Sequence, residues 1–345
     1  MATGERRDEA ALAEGLARWA AAHPEGVPGG EGANGGVLTI ARLEHAEGGQ
    51  ANETLLVDFG PDHDGMVVRL PPLDPTFPDY DLGPQALVQN AVAAAGVPAP
   101  APTVVETDPT WIGTPFLAMP RVRGDIAGPA PVFDPYVRDA GPARQRVLHD
   151  GLIDAVAAIH AVPWEGWGLE GALAGPRLDD ALDRWAAYVG WSAQGDPLPA
   201  LSEALDWCGR HRPPEREAVL LWGDVRLGNL VFDGAGKVVA VLDWDLAALG
   251  PREMDLGWHF GLEFMMEQLF GQRVPGFPSR METLERYERH TGSEVHDLAW
   301  HEVFALARAL AINDRHQRIT GDPRRRDNPM GDILLARLEA AADGD

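Results

Sequence analysis

The spacing of apolar residues shifts from helical to alternating and back along the 345 residues of the chain. Leu12, Leu16 and Trp19 recur at three- and four-residue intervals, which predicts an amphipathic helix near the start. Residues 37–43, 54–59 and 66–70 are short and β-rich, with Pro61-Asp62-His63-Asp64-Gly65 as the turn between the last two. A small antiparallel sheet is therefore expected. A helix over 84–95 and strands at 103–106 and 115–119 follow. Beyond them the period is helical, over 141–161, 178–192, 200–210, 252–271, 279–291, 295–319 and 329–342. Leu152, Val156 and Ile159 share one helix face, as do Val303, Leu306 and Leu310, so both sets are expected in the core. A strand hairpin over 230–232 and 238–242 interrupts these helices.

This succession predicts an α+β chain without internal repeats. Residues 1–30 form a helix and a glycine-rich linker, 31–120 a small sheet lobe, and 121–345 a larger helical lobe, with the boundary near 120–124. An apolar content of 45% is ample for a core. The net charge of -24 opposes binding to nucleic acid and to anionic membranes, and no basic stripe offsets it. Cys208 is the sole cysteine, so no intrachain disulfide forms and no oxidising compartment is needed. Glu5, Glu9, Glu14 and Arg18 break any signal-peptide pattern, and no run of apolar residues is long enough to span a bilayer. The expectation is a cytoplasmic protein that binds neither nucleic acid nor membrane.

The densest chemistry lies in WGDVRLGNLVFDGAGKVVAVLDWD, from Trp222 to Asp245. Asp224 precedes Asn229 by five residues, and a second strand ends at Asp243. This is the layout of protein-kinase-type phosphoryl transfer, in which one Asp accepts the hydroxyl proton while an Asn and a later Asp hold Mg²⁺ against ATP. An amide oxygen and a carboxylate are the hard donors that Mg²⁺ selects. A carboxylate at the end of the apolar run 238–242 is costly unless a cation meets it. Each of these residues alone could equally be an ordinary surface side chain, Asp224 for instance an aspartate in a β-turn; it is their spacing that sets them apart. Arg226, between Asp224 and Asn229, is placed either to stabilise charge on the transferred group or to form a surface salt bridge. Lys237 is the sole lysine, and its position after the turn Asp233-Gly234-Ala235-Gly236 points it to solvent.

These residues resemble the aminoglycoside phosphotransferase and choline kinase-like family, and within it the acyl-CoA-dehydrogenase-associated phosphotransferases. The likeness extends to Ala157-Ala158-Ile159-His160, Ala248-Leu249-Gly250-Pro251, Asp255-Leu256-Gly257-Trp258 and Arg286-Tyr287-Glu288 before Thr291-Gly292. It implies a protein-kinase-like two-lobed fold, with a small antiparallel N-lobe and a larger, mostly helical C-lobe. Gly48, Gly49, Gln50 and Asn52 would then cover the nucleotide phosphates, with Ala51 where relatives carry serine. Arg69 takes the place of the phosphate-binding lysine and Gln85 that of its glutamate partner, with Asp79 or Asp81 as substitute carboxylates. Met119, Pro120 and Val122 correspond to the adenine hinge, Val122 supplying the N–H. Trp222 replaces the histidine that supports the metal-binding segment, Asp255 braces the catalytic loop, and His160 is a buried helix-end histidine.

The resemblance implies Mg²⁺ as cofactor, ATP as donor with GTP as the other choice, and a small-molecule hydroxyl as acceptor, in the subgroup a hydroxyacyl thioester or related metabolite. Arg324-Arg325-Arg326 is the candidate cluster for an anionic ligand, against its reading as a solvated loop. The scattered histidines suggest no zinc site. Two alternatives remain open on the same residues: a nucleotide-binding protein that acts through partners without turnover, and a scaffold or ligand-binding protein that takes no nucleotide.

Overall fold

The computed structural model describes residues 7–23, 27, 40–46, 52–60 and 65–344. The chain divides into two compact units, Met1–Arg123 and Gly124–Asp345. In the first, helix α1 (Glu9–Ala22) is capped by the Asp8 carboxylate, which accepts from Ala10 N at 2.9 Å. Strands β1 (Arg42–His45), β2 (Glu53–Asp58) and β3 (Met66–Leu70) precede helix α2 (Leu82–Ala94), and β4 (Val104–Glu106) and β5 (Phe116–Pro120) follow it. They form one antiparallel sheet in the order β1-β2-β3-β5-β4.

Alternation along β3 decides which side chain serves which face. Met66, Val68 and Leu70 are buried with Leu55, Val57, Phe116 and the Leu12, Leu16, Trp19 stripe of α1. The intervening Val67 packs with Leu82 and Ala86 of α2, which puts Arg69 on the α2 side of the sheet. The α1 stripe is thus part of the sheet unit's own core. The first strand begins later than its pattern suggested; of the expected range, 37–39 lie outside the described residues, as do 61–64 of the expected turn and all of the glycine-rich linker except Val27.

The second unit runs α3 (Pro135–Arg138), α4 (Pro142–His160), α5 (Leu169–Ala172), α6 (Leu178–Ala193), α7 (Pro199–Arg210), β6 (Ala218–Leu221), β7 (Leu230–Phe232), β8 (Val238–Val241) and β9 (Ala248–Pro251). The helices α8 (Glu253–Phe270), α9 (Arg280–Thr291), α10 (Leu298–Thr320) and α11 (Pro329–Asp343) complete it. Punctuation in the sequence explains most of these limits: proline opens α4, α7 and α11, and α9 carries a Ser279–Glu282 capping box. Helix α10 is buried continuously from Trp300 to Ala311 and is the unit's centre. It crosses α8 at Gly257, where an added Cβ would stand 2.6 Å from His301 Cβ. The hairpin β7–β8 pairs Leu230 with Val241, and β6 pairs antiparallel with β9, joining Leu221 to Ala248. Strand β9 and the short helices α3 and α5 had no clear periodic signal, being too brief to show one.

Candidate active site

The segment that carries Asp224 leaves β6 at Leu221 and turns sharply at Gly223, whose φ of +92° favours glycine and whose absent Cβ would lie 2.1 Å from the Leu246 carbonyl. Asp255, at the start of α8, holds this turn. Its carboxylate accepts from Trp222 N at 2.7 Å and Gly223 N at 2.8 Å, and bonds His160 Nε2 at 3.0 Å. The other ring nitrogen of His160 is 2.7 Å from the Tyr287 hydroxyl, so α4, α8 and α9 meet at one buried network. Burial raises the Tyr287 hydroxyl to about 12, which keeps it a neutral partner.

Trp222 is fully buried, and its Nε1 donates to the Leu242 carbonyl at 2.9 Å. The indole therefore ties the turn at Gly223 to the residue just before Asp243. After Gly223 burial alternates, with Val225 and Leu227 inside and Asp224 and Arg226 partly exposed. Asp224 is partly exposed and accepts from Arg226 Nε at 2.8 Å, Asn229 Nδ2 at 2.7 Å and Trp258 Nε1 at 2.9 Å. Asn229 also donates to the Asp224 carbonyl at 3.0 Å from a short 3₁₀ turn, Leu227–Asn229.

Asn229 and Asp243 become neighbours because Leu242 N donates to Asn229 O at 2.8 Å across the hairpin. Asp243 adopts φ 62°, a left-handed conformation uncommon outside glycine but tolerated by aspartate. With its Nδ2 committed to Asp224, Asn229 is left with Oδ1 as its ligating atom, and together with the Asp243 carboxylate this is an oxygen set suited to Mg²⁺. Burial works against the charge on Arg226, yet the carboxylates of Asp224 and Asp243 outweigh it and raise its pKa. Those charges thus act together on one guanidinium.

In the sheet unit, Arg69 Nη1 points to Gln85 Oε1 at 3.4 Å, joining β3 to α2 by an amide rather than an ion pair. Asp81 is taken up as the α2 cap through Gly83 N, while Asp79 is exposed. Met119 is buried on β5, Pro120 pairs opposite Met66, and Val122 follows, half-buried, beyond the strand. Asn52 is buried, whereas Gly48, Gly49 and Gln50 lie outside the described residues. Lys237 is exposed.

Several features escaped sequence reasoning. Trp258 touches Asp224, and its signal was its position three residues after Asp255 on one helix face. The arginine cluster proves to be neutralised locally: Arg324 Nη2 pairs with Asp322 at 2.9 Å, Arg325 Nη1 with Asp196 at 3.1 Å, and Arg326 with Asp196. His149, His259 and Glu263 bring one ligand atom each to within 4.8 Å of one another, a grouping scattered in sequence and assembled by α4 and α8. Burial pushes His259 down to about 4, so it is neutral at physiological pH. Among the described residues no helix is long and apolar enough to cross a membrane.

Residues 42–298 match the model of a family described as "Phosphotransferase enzyme family". Among curated proteins, acyl-CoA dehydrogenase family member 11 of Gallus gallus is 31% identical over 214 residues, covering 61% of this chain and 26% of the relative. The chain thus spans about a quarter of that relative's length. A candidate aminoglycoside phosphotransferase from Ralstonia eutropha JMP134 superposes with TM-score 0.69 at 22% identity, over 97% of this chain and 99% of the other. Aminoglycoside phosphotransferase APH(4)-Ia, solved as a thermostable mutant with ADP and hygromycin B, gives TM-score 0.58 at 15% identity, over 88% and 95%. These likenesses establish the kinase-like fold of small antiparallel sheet and helical unit.

Proposed function

We propose, for a chain that belongs to the phosphotransferase enzyme family, a Mg²⁺-dependent transfer of the γ-phosphoryl group of ATP to a hydroxyl of a small molecule. The observation that carries this reading is the Asp224 carboxylate, held at a glycine turn by three side-chain donors beside the Asn229–Asp243 pair. Asp224 orients the acceptor hydroxyl and takes its proton as the oxygen bonds to the γ-phosphorus and the bond to ADP breaks. Asn229 Oδ1 and the Asp243 carboxylate would hold Mg²⁺, which supplies neutralisation of phosphate charge when bound. Arg226 adds a cation next to Asp224 and can exchange that carboxylate for a phosphoryl oxygen. Arg69, steadied by Gln85, takes the phosphate-binding part that lysine plays elsewhere, and Trp222 keeps the loop and the Asp243 segment in register.

Nucleotide binding is assigned to residues 31–120, with Gly48, Gly49, Gln50, Asn52, Met119, Pro120 and Val122, and acceptor binding to 121–345. GTP is the other donor such a loop could accept. The relatives named acyl-CoA dehydrogenases suggest a hydroxyacyl thioester or related metabolite as acceptor. The single cysteine, buried and with its thiol pushed far up by burial, fits a cytoplasmic location. A melting-temperature titration with ATP, with and without Mg²⁺, tests the reading, because a ligand that binds only the folded state stabilises it by mass action. A rise that requires both, together with label from γ-phosphate-labelled ATP entering a metabolite of a cell extract, is the expected result. No rise at millimolar nucleotide would favour a protein that takes no nucleotide.

A further inference from the structure

Arginines of the helical unit are generally matched by carboxylates. Arg286 holds Asp154 through Nε and Nη2 at 2.6 Å each, Arg318 reaches Asp314 at 3.0 Å, and Arg337 reaches the buried Glu302 at 2.9 Å. A chain of net charge -24 makes such pairing easy. Arg308 departs from the rule. It sits mid-way along α10 in an apolar run, is 3% exposed, and its Nε is buried without a hydrogen-bond partner. Among the described residues no carboxylate lies within ion-pair distance of it. Its guanidinium carbon stands 4.7 Å from the Trp258 ring centre, 5.0 Å from Trp185 and 5.8 Å from Phe304. Arg184, the residue before Trp185 on α6, has its Nε buried and unpartnered as well.

Aromatic faces recover part of the cost of a buried cation, but they leave its Nε–H unsatisfied and do not explain a second guanidinium near it. Burial first, and Arg184 second, push Arg308 down to about 9 against the opposing charges of Asp255 and Asp224, so it keeps its charge at neutral pH. Two guanidiniums that feel each other's charge, each with its Nε unpartnered, are suited to a carboxylate or phosphate. Trp258 fixes where that anion stands relative to the chemistry: the ring that stacks on Arg308 donates its Nε1 to Asp224 at 2.9 Å.

We infer that Arg308 and Arg184 bind an oxyanion, a carboxylate or phosphate carried by the acceptor, while the acceptor's hydroxyl meets Asp224. This rests on the phosphotransferase reading and narrows its acceptor from the thioester to a related metabolite, a free hydroxy acid or hydroxylated phosphate ester whose two groups are about one indole apart; an amino-sugar acceptor is repelled.

The test titrates the intact protein with 3-hydroxybutyrate, its methyl ester and butane-1,3-diol, read by tryptophan fluorescence, with inorganic phosphate as a separate arm. The acid is expected to bind at least about tenfold more tightly than the ester or diol, and Arg308→Met to lose at least about tenfold in affinity for it. Arg308→Lys should retain an intermediate affinity, and ligand-free Arg308→Met should melt higher than the parent because it sheds an unpaired buried charge. Phosphate binding ahead of the acid assigns the anion to a phosphate source. Equal binding of acid, ester and diol, undiminished binding by Arg308→Met, or binding of neither acid nor phosphate overturns the inference. The MgATP-dependent melting shift of the unaltered protein is measured alongside. A MgATP response without anion selectivity overturns only the anion subsite. Anion selectivity without a MgATP response overturns the phosphotransferase reading and the acceptor role together.

Discussion

Asp255 and Asp224 flank the same turn and use the same functional group in opposite ways. Asp255 is 1% exposed, and two of its donors are backbone N–H groups of Trp222 and Gly223, which cannot leave. Asp224 is partly exposed, and its donors are side chains: Asn229 and Trp258 are buried, while Arg226 reaches it from the surface. A carboxylate closed in by backbone donors is scaffold; one that stays partly exposed, with an exchangeable surface guanidinium among its donors, can take up a hydroxyl. Loss of Asp255 should therefore appear as instability, and loss of Asp224 as lost chemistry.

The largest stability effect is expected for Asp255→Asn. Removing the charge leaves His160 and a backbone N–H without their acceptor in a buried site, at a cost of about 3–5 kcal/mol, measured by urea denaturation. A loss below about 1 kcal/mol would break the contrast.

A smaller effect follows from His301, which touches α8 at Gly257 behind the same turn. Burial, and then the cations Arg216 and Arg308, hold it down to about 3, against about 6.5 in the unfolded chain. Its contribution is complete above the unfolded value and is lost as pH falls toward the folded one, because the unfolded chain takes up the proton first. Between about pH 7 and pH 5 this amounts to about 2 kcal/mol, and His301→Gln should flatten that part of the stability profile. An unchanged slope in the variant would place the acid sensitivity elsewhere.

Trp222→Phe should have the smallest effect, about 1 kcal/mol, because ring volume is kept and only the N–H donation to the Leu242 carbonyl is removed. The variant sharpens the comparison: a modest stability loss with activity reduced but present identifies Trp222 as a brace, whereas complete inactivation would give it a direct part in transfer.

Much of this was legible in the sequence. The long helices announced themselves by period and by their stops, such as proline opening α4 and α7 and glycine following α8, α9 and α10. Asp224, Asn229 and Asp243 were readable because one short stretch of chain carries all three. Partners supplied by distant helices were not. Trp258 comes to Asp224 from α8, and Arg308 and Arg184 come together from α10 and α6. A lone arginine in the apolar run of α10 was a signal, yet the conspicuous triplet Arg324-Arg325-Arg326 drew attention and proved to be neutralised by Asp322, Asp196 and Asp314. Local charge density marks charges that neutralise one another, as Arg325 does with the buried Asp314; isolated charge within an apolar helix marks the costlier and more informative site.

The most direct test pairs Asp224→Asn with the unaltered protein in single-turnover transfer of labelled γ-phosphate from MgATP, using an acceptor drawn from the extract screen, with melting temperatures measured on the same samples. The account predicts transfer slowed by about 10²–10⁴-fold in the variant, with its melting temperature and MgATP response retained. Transfer at the parent rate by a folded Asp224→Asn variant would contradict it.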